Sequence, residues 1–99
     1  MAAYITAFVE ISDPEAYRTY SSQVLPIVQR FGGRFLARGG TLEILEGELT
    51  SKRAVIIEFP TLAQAREFYL SPAYQEILPI RHKNSRTDLL AILDGVAAL

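Results

Sequence analysis

The sequence predicts an α+β fold, a split β-α-β arrangement with helices on one face of an antiparallel sheet. Three observations predict it. Segments with two-residue hydrophobic alternation or dense β-branched content recur along the chain. Two of them are followed by helix-start signals and apolar residues at helical spacing. No repeat, low-complexity run or linker divides the 99 residues, so one domain over 1–99 is expected.

The elements follow in order. Residues 3–11, AYITAFVEI, read as a strand, with Ile5, Ala7, Val9 and Ile11 on one side and Tyr4, Thr6, Phe8 and Glu10 on the other. Ser12-Asp13-Pro14-Glu15 opens a helix: Ser12 or Asp13 can cap it, proline suits its first turn, and Glu15 suits its positive end. Tyr17, Tyr20, Val24, Ile27, Val28 and Phe31 form its apolar stripe. Pro26 is expected to kink or interrupt it, and Gly32-Gly33 to end it. RFLAR, 34–38, reads as a strand, Gly39-Gly40 as a hairpin turn, and TLEILE, 41–46, as a short return strand. RAVIIEF, 53–59, is the next strand, stopped by Pro60. Thr61-Leu62-Ala63-Gln64 is a capping-box pattern opening a second helix with Leu62, Ala65, Phe68 and Tyr69. Ser71-Pro72 starts a further turn of helix with Tyr74, Ile77 and Leu78, which Pro79 is expected to disturb. TDLLAILD, 87–94, is the last strand, and the tail GVAAL carries no assignment. The order β-α-β-β-β-α-β, with one β pair a short hairpin, is the ferredoxin-like pattern.

Composition narrows the function. Hydrophobic residues make up 49% of the chain, which excludes a disordered one. A net charge of -1, with only Arg81-His82-Lys83 as a basic run, argues against a nucleic-acid partner. There is no cysteine and one histidine, His82, so a disulfide framework, a thiolate nucleophile and a usual metal site are not expected. No apolar run reaches membrane-spanning length, and a cytoplasmic location without membrane association is the expectation. Neither a dinucleotide fingerprint nor a P-loop is present, and no cofactor is expected.

Sorted by parity, the strands offer an apolar face holding Ile5, Ala7, Val9, Ile11, Phe35, Ala37, Val55, Ile57, Phe59, Leu89, Ala91 and Leu93, expected against the helices. The opposite parity mixes Phe8, Leu36, Ile56, Leu90 and Ile92 with Arg34, Arg38, Glu10, Glu58, Asp88 and Asp94. Such a face is too apolar for free solvation and points to a second copy of the sheet, hence a homodimer. Arg38 and Glu58 share that parity and are expected to interact, near the rim of any cavity.

Arg38, next to two glycines, can grip a carboxylate through two hydrogen bonds, or serve as a structural partner of Glu58. Tyr17, Tyr20, Tyr69 and Tyr74 lie on or near the helical stripes, opposite the small Ala7, Ala37 and Ala91. That combination either leaves a pocket with polar hydroxyls or packs closely. His82 is read as a solvated helix residue.

The stretches MAAYITAFVEISDPEAY, FGGRFLARGGTLEILEG and VIIEFPTLAQAREFYLSPAYQ, with Arg81 after them, resemble an uncharacterised bacterial family, domain of unknown function 1330, over roughly residues 3–95. The resemblance implies a ferredoxin-like dimeric α/β barrel. Its wider superfamily includes cofactor-free monooxygenases, muconolactone isomerase and haem-binding chlorite dismutases, while the family itself brings no reaction. The family's motif positions here are Tyr17, Arg38, Gly39, Gly40, Glu46, Glu58, Phe59, Pro60, Tyr69, Ser71, Tyr74 and Arg81. Glu48-Leu49 and His82-Lys83 depart from its pattern.

Two functional classes remain open on sequence. One is a metal-free enzyme of isomerase or cofactor-free oxygenase type acting on a small acidic or aromatic compound. The other is a non-catalytic ligand-binding, sensing or structural dimer. The candidate catalytic residues are Arg38, Glu58 and Tyr69; the candidate ligand-binding residues are Tyr17, Tyr20, Arg34, Tyr74 and Arg81; no metal ligand is assigned.

Overall fold

The computed structural model describes residues 1–96; Ala97, Ala98 and Leu99 of the unassigned tail lie outside the described residues. The elements run β1 (Ala3–Ile11), α1 (Pro14–Arg30), β2 (Arg34–Gly40), β3 (Arg53–Phe59), α2 (Leu62–Leu70), α3 (Pro72–Asn84) and β4 (Ser85–Asp94). Four strands make one sheet in the order β2-β3-β1-β4, with every neighbouring pair antiparallel. Each β-α-β unit therefore straddles a strand of the other, the split arrangement of a ferredoxin-like fold.

Local chemistry starts the helices where the sequence says. The Asp13 carboxylate accepts the Ala16 amide at 3.1 Å, and Pro14 occupies the first turn of α1. Gly32, at φ +80°, turns the chain after Phe31. Thr61 Oγ1 accepts the Gln64 amide at 3.1 Å and so caps α2. Ser71 closes α2 and caps α3, its Oγ accepting the Tyr74 amide at 3.2 Å.

Four expectations about elements are corrected. α1 is not interrupted at Pro26, which is exposed and lies inside a helix of 17 residues. The last helical segment is no single turn but the 13 residues of α3, which continues through Pro79. Gly39 and Gly40 are the end of β2 rather than a hairpin turn, and residues 41–46 are not a strand. With Gly39 at φ +76° the chain leaves the sheet into an irregular segment. That segment is pinned near its end: Asp88 accepts the amide and hydroxyl of Ser51, and Glu10 accepts the Lys52 amide at 3.0 Å.

The fourth correction concerns β4. Its register against β1 shifts between Phe8 and Val9, so that Phe8 faces Leu89 and Val9 faces Thr87. Asp88 is thus the extra residue of a bulge. Beyond it, Leu90 pairs with Ala7 and Ile92 with Ile5, and both pack on the core. Leu89 and Leu93, expected inside, are 51% and 60% exposed on the other face. The run LLAIL is apolar in both parities, so composition alone does not orient it; the partner strand does.

The core lies between the sheet and the helices. Ala3, Ile5, Ala7, Val9, Ile57 and Phe59 of the sheet meet Val24, Ile27 and Val28 of α1, Ala65 and Phe68 of α2, and Tyr74, Ile77 and Leu78 of α3, all buried. Burial of this apolar area, at about 25 cal/mol per Å², is the main source of stability.

Candidate functional site

A bulge in β2 positions the site. Arg34 pairs with Glu58 and Phe35 with Ile57, but then Ala37 pairs with Ile56 and Arg38 with Val55. Leu36 is the inserted residue. It moves Ala37 to the outer face and turns Arg38 to the helix side, the side of Ile57 and Val55. The expected Arg38–Glu58 pair is therefore absent within the chain. Glu58 lies on the outer face, where Arg34 Nε donates to Oε1 at 2.7 Å and the Tyr4 hydroxyl reaches Oε2 at 3.4 Å. Arg38 instead stacks over the Phe35 ring, 4.4 Å from its centroid, and donates from Nη2 to the Ser21 carbonyl of α1 at 2.6 Å. It spans from sheet to helix, with its side chain exposed at the rim.

Beneath Arg38 the sheet and helices enclose a cavity of about 40 Å³. That is room for about three water molecules. Of the candidate residues, Arg38, Tyr17, Tyr20, Tyr69, Tyr74 and Arg81 line it; Arg34 and Glu58 do not. Small Ala7 helps to leave the space, whereas Ala37 and Ala91 lie on the outer parity.

The tyrosines form one cluster. Tyr20 and Tyr74 hydroxyls share a hydrogen bond of 2.8 Å in the interior. Tyr17 stacks at a tilt 5.3 Å from Tyr20, and Tyr69 lies 5.5 Å from Tyr74. Burial pushes the Tyr20 phenol up, and its neighbour Tyr74 pushes it further. Burial also raises Tyr17, with Arg53 and Arg81 pulling in the opposite direction. Both stay neutral phenols at physiological pH.

Arg81 is the deepest charged group, 3% exposed. One Nη donates to Thr87 Oγ1, and its Nε is buried without a hydrogen-bond partner. Arg53 joins it: its Nε is also buried and unpartnered, and its guanidinium lies 5.8 Å from the Tyr17 ring centroid. Gly39 makes room for it, since a Cβ there would overlap Arg53 Nη1. Among the described residues the ion pairs are Arg34–Glu58 and Arg86–Asp88, and neither involves a cavity arginine. No Asp, Glu or His lines the cavity, and among the described residues no three such side chains cluster as a metal set.

Arg53 is the site residue that sequence reasoning missed. Its signal was present, because it shares the parity of Val55, Ile57 and Phe59. His82 is exposed at the end of α3 and stands apart from the cavity.

Among the described residues no helix is long and apolar enough to cross a membrane. A similar fold occurs in a protein of unknown function from Rhodopseudomonas palustris, RPA0582, at TM-score 0.72 and 23% identity, over 98% of this chain and 84% of that one. SnoaB, a cofactor-independent oxygenase from Streptomyces nogalater, matches at TM-score 0.61 and 11% identity, over 99% and 95%. A dimeric ferredoxin-like protein of unknown function from Jannaschia sp. CCS1 matches at TM-score 0.63 and 13% identity, over 96% and 100%. Among curated sequences none matches. Residues 2–96 match the family model described as domain of unknown function, DUF1330.

Proposed function

The chain belongs to the DUF1330 family, and from that premise we propose that it is a homodimer that binds a small acidic molecule in the cavity between its sheet and helices. One observation carries the binding reading: three arginines and four tyrosines converge on one enclosed space that contains no acidic side chain. Buried guanidiniums are ordinarily paired, and an acidic ligand supplies the missing partner. In this reading Arg81, Arg53 and Arg38 bind the ligand, and Tyr17, Tyr20, Tyr69 and Tyr74 shape and donate to it.

The homodimer rests on the outer face. Leu36, Leu89 and Leu93 are half or more exposed there, beside Phe8 and Ile56. A sheet face of this kind is covered by a second sheet most economically, and the Jannaschia protein of the same fold is described as dimeric.

The enzymatic reading draws support from the cofactor-independent oxygenase with a similar fold. Its weakness lies in the proton acceptor. Glu58 belongs to the opposite face of the sheet, and the cavity tyrosines Tyr17 and Tyr20 are held as phenols. Binding without catalysis is therefore the reading preferred here.

The test is a thermal-shift screen of small organic acids and their neutral analogues, on wild type and on Ala7→Leu. Ala7 lines the cavity, and added methyl groups fill it. At least one compound is expected to raise the wild-type melting temperature and to lose that effect in Ala7→Leu. A screen in which no compound binds, or in which the filled variant binds equally well, overturns the proposal.

A further inference from the structure

We propose that the ligand, if the cavity reading holds, is a small oxyanion with no cationic group of its own, a short unsubstituted carboxylate of formate or acetate size, held by Arg81 and Arg53.

The inventory of the cavity wall carries this. Its charged groups are three guanidiniums, which can donate hydrogen bonds but never accept them. Two of them keep a buried Nε with no partner: Arg81, nine-tenths and more buried, and Arg53. The Tyr20–Tyr74 pair has two hydroxyl hydrogens and uses one between them. The other is free to donate. The Ser21 carbonyl, the one backbone acceptor placed at the rim by a side-chain contact, is already taken by Arg38. A ligand whose charged group accepts fits this wall, because every charged group on it donates and only the tyrosine and serine hydroxyls can do either. An ammonium group meets only like charge there, and a neutral amide forgoes the charge pairing that a carboxylate makes with the guanidiniums. Amino acids and amides are disfavoured on that ground, although their size is similar.

Volume sets the second limit. A space of about 40 Å³ holds about three waters, which is close to the heavy-atom count of acetate. An aromatic acid exceeds it while Arg38 bridges Phe35 and Ser21 at the rim. The aromatic branch of the sequence-based expectation is thus disfavoured for the closed site. Three positive charges around one small space also bring in an anion already formed. The site has no carboxylate or imidazole to take a proton from a neutral acid, so binding follows the ionised fraction of the ligand.

The experiment is isothermal titration of the full chain with sodium acetate, acetamide and glycine at matched ionic strength, with sodium chloride as the baseline. Acetate is expected to bind, and acetamide and glycine to bind at least tenfold more weakly. Arg81→Met is expected to weaken acetate at least tenfold and Arg81→Lys by less, because lysine keeps the charge but loses the fork. Should Arg81→Met not fold, Arg81→Lys and Arg53→Met give the same reading, each with at least a threefold loss. Equal affinity for acetamide and acetate, with both lost in Ala7→Leu, overturns the oxyanion and leaves the cavity reading standing. So does a larger screening compound that binds when acetate does not. Acetate binding unaffected by every arginine substitution also overturns the assignment. If neither the panel nor the wider screen yields any ligand, the cavity reading itself falls.

Discussion

Arg81→Met should make the ligand-free protein more stable. Arg81 is 3% exposed, its Nε has no partner, and its one side-chain hydrogen bond is to Thr87. A buried unsatisfied donor costs about 1–3 kcal/mol and more when it is charged, and a hydrogen bond from a charged group such as that to Thr87 returns about 1.5–3. Methionine is long and flexible enough to fill the vacated space. The several kcal/mol that an unpaired buried ion costs tip the balance to the variant, by about 1–2 kcal/mol, or about 5–10 °C in melting temperature for a domain of this size. Urea unfolding at fixed protein concentration in an anion-free buffer measures it. Saturating acetate should then close or reverse the gap. A ligand at one hundred times its Kd stabilises by about 2.7 kcal/mol, and a variant that binds at least tenfold more weakly gains at most about 1.4 kcal/mol at the same concentration. An Arg81→Met variant destabilised by about 3 kcal/mol without ligand would refute the reasoning, because it would make Arg81 a structural keystone rather than an unfilled receptor.

Three more outcomes follow from other parts of the fold. Gly39→Ala should lose about 1–2 kcal/mol, since Gly39 sits at φ +76° and a Cβ would strike Arg53 Nη1; calorimetry measures the stability, and acetate titration should show weaker binding because Arg53 is displaced. Leu89→Glu with Leu93→Glu, both on the exposed parity of β4, should convert a dimer into a monomer in sedimentation at micromolar concentration; a wild type that is already monomeric there removes the homodimer. Asp88 is held at about 2, below its ordinary 3.8, chiefly by hydrogen bonds from Arg86 and then Ser51. Its folded value is the lower one, so its stabilisation is complete above about pH 4 and is lost as pH falls toward 2. The protection of the Ser51 amide, which donates to Asp88, relative to its intrinsic exchange rate should fall over that window in wild type, and Asp88→Asn should remove that change.

What could be read from the sequence was what local chemistry decides. Asp13, Thr61 and Ser71 accept amides of the helices they open. The alternation of β1 puts Ile5, Ala7 and Val9 in the core as its parity implies. The apolar stripe of α1 buries Tyr17, Tyr20, Val24, Ile27 and Val28. The cavity's tyrosines were legible for the same reason, because helical spacing puts them on the inward side. The missed features of the sheet were those that a partner strand decides. Two glycines look the same in a hairpin and at the end of a strand, and TLEILE alternates without a neighbour to pair with. The orientation of LLAIL depends on an extra residue at Asp88, which nothing in its own composition marks.

The single residue Leu36 decides how the site is built. In an unbroken β2, Arg34, Leu36 and Arg38 would share a side, and Arg38 would join Glu58 on the outer face. Because Leu36 is the bulge, Arg34 keeps the outer face and meets Glu58, while Arg38 crosses to the helix side. One inserted residue thus separates two arginines that parity had joined. It leaves the outer face with a paired charge and apolar side chains, which a second sheet can cover. It gives the inner face a third cation, at the rim of a space already lined by Arg53, Arg81 and phenols. The opposite β4 bulge makes a matching exchange: Leu90 and Ile92 go to the core side, and Leu89 and Leu93 to the outer face. These irregularities, and a second shift in β2 between Arg38 and Gly40, sit on the edge strands of the sheet, where an extra residue disturbs one ladder rather than two. Regular central strands therefore hold the core, and the irregular edges divide the chemistry between an apolar outer face and a cavity lined by arginines and tyrosines.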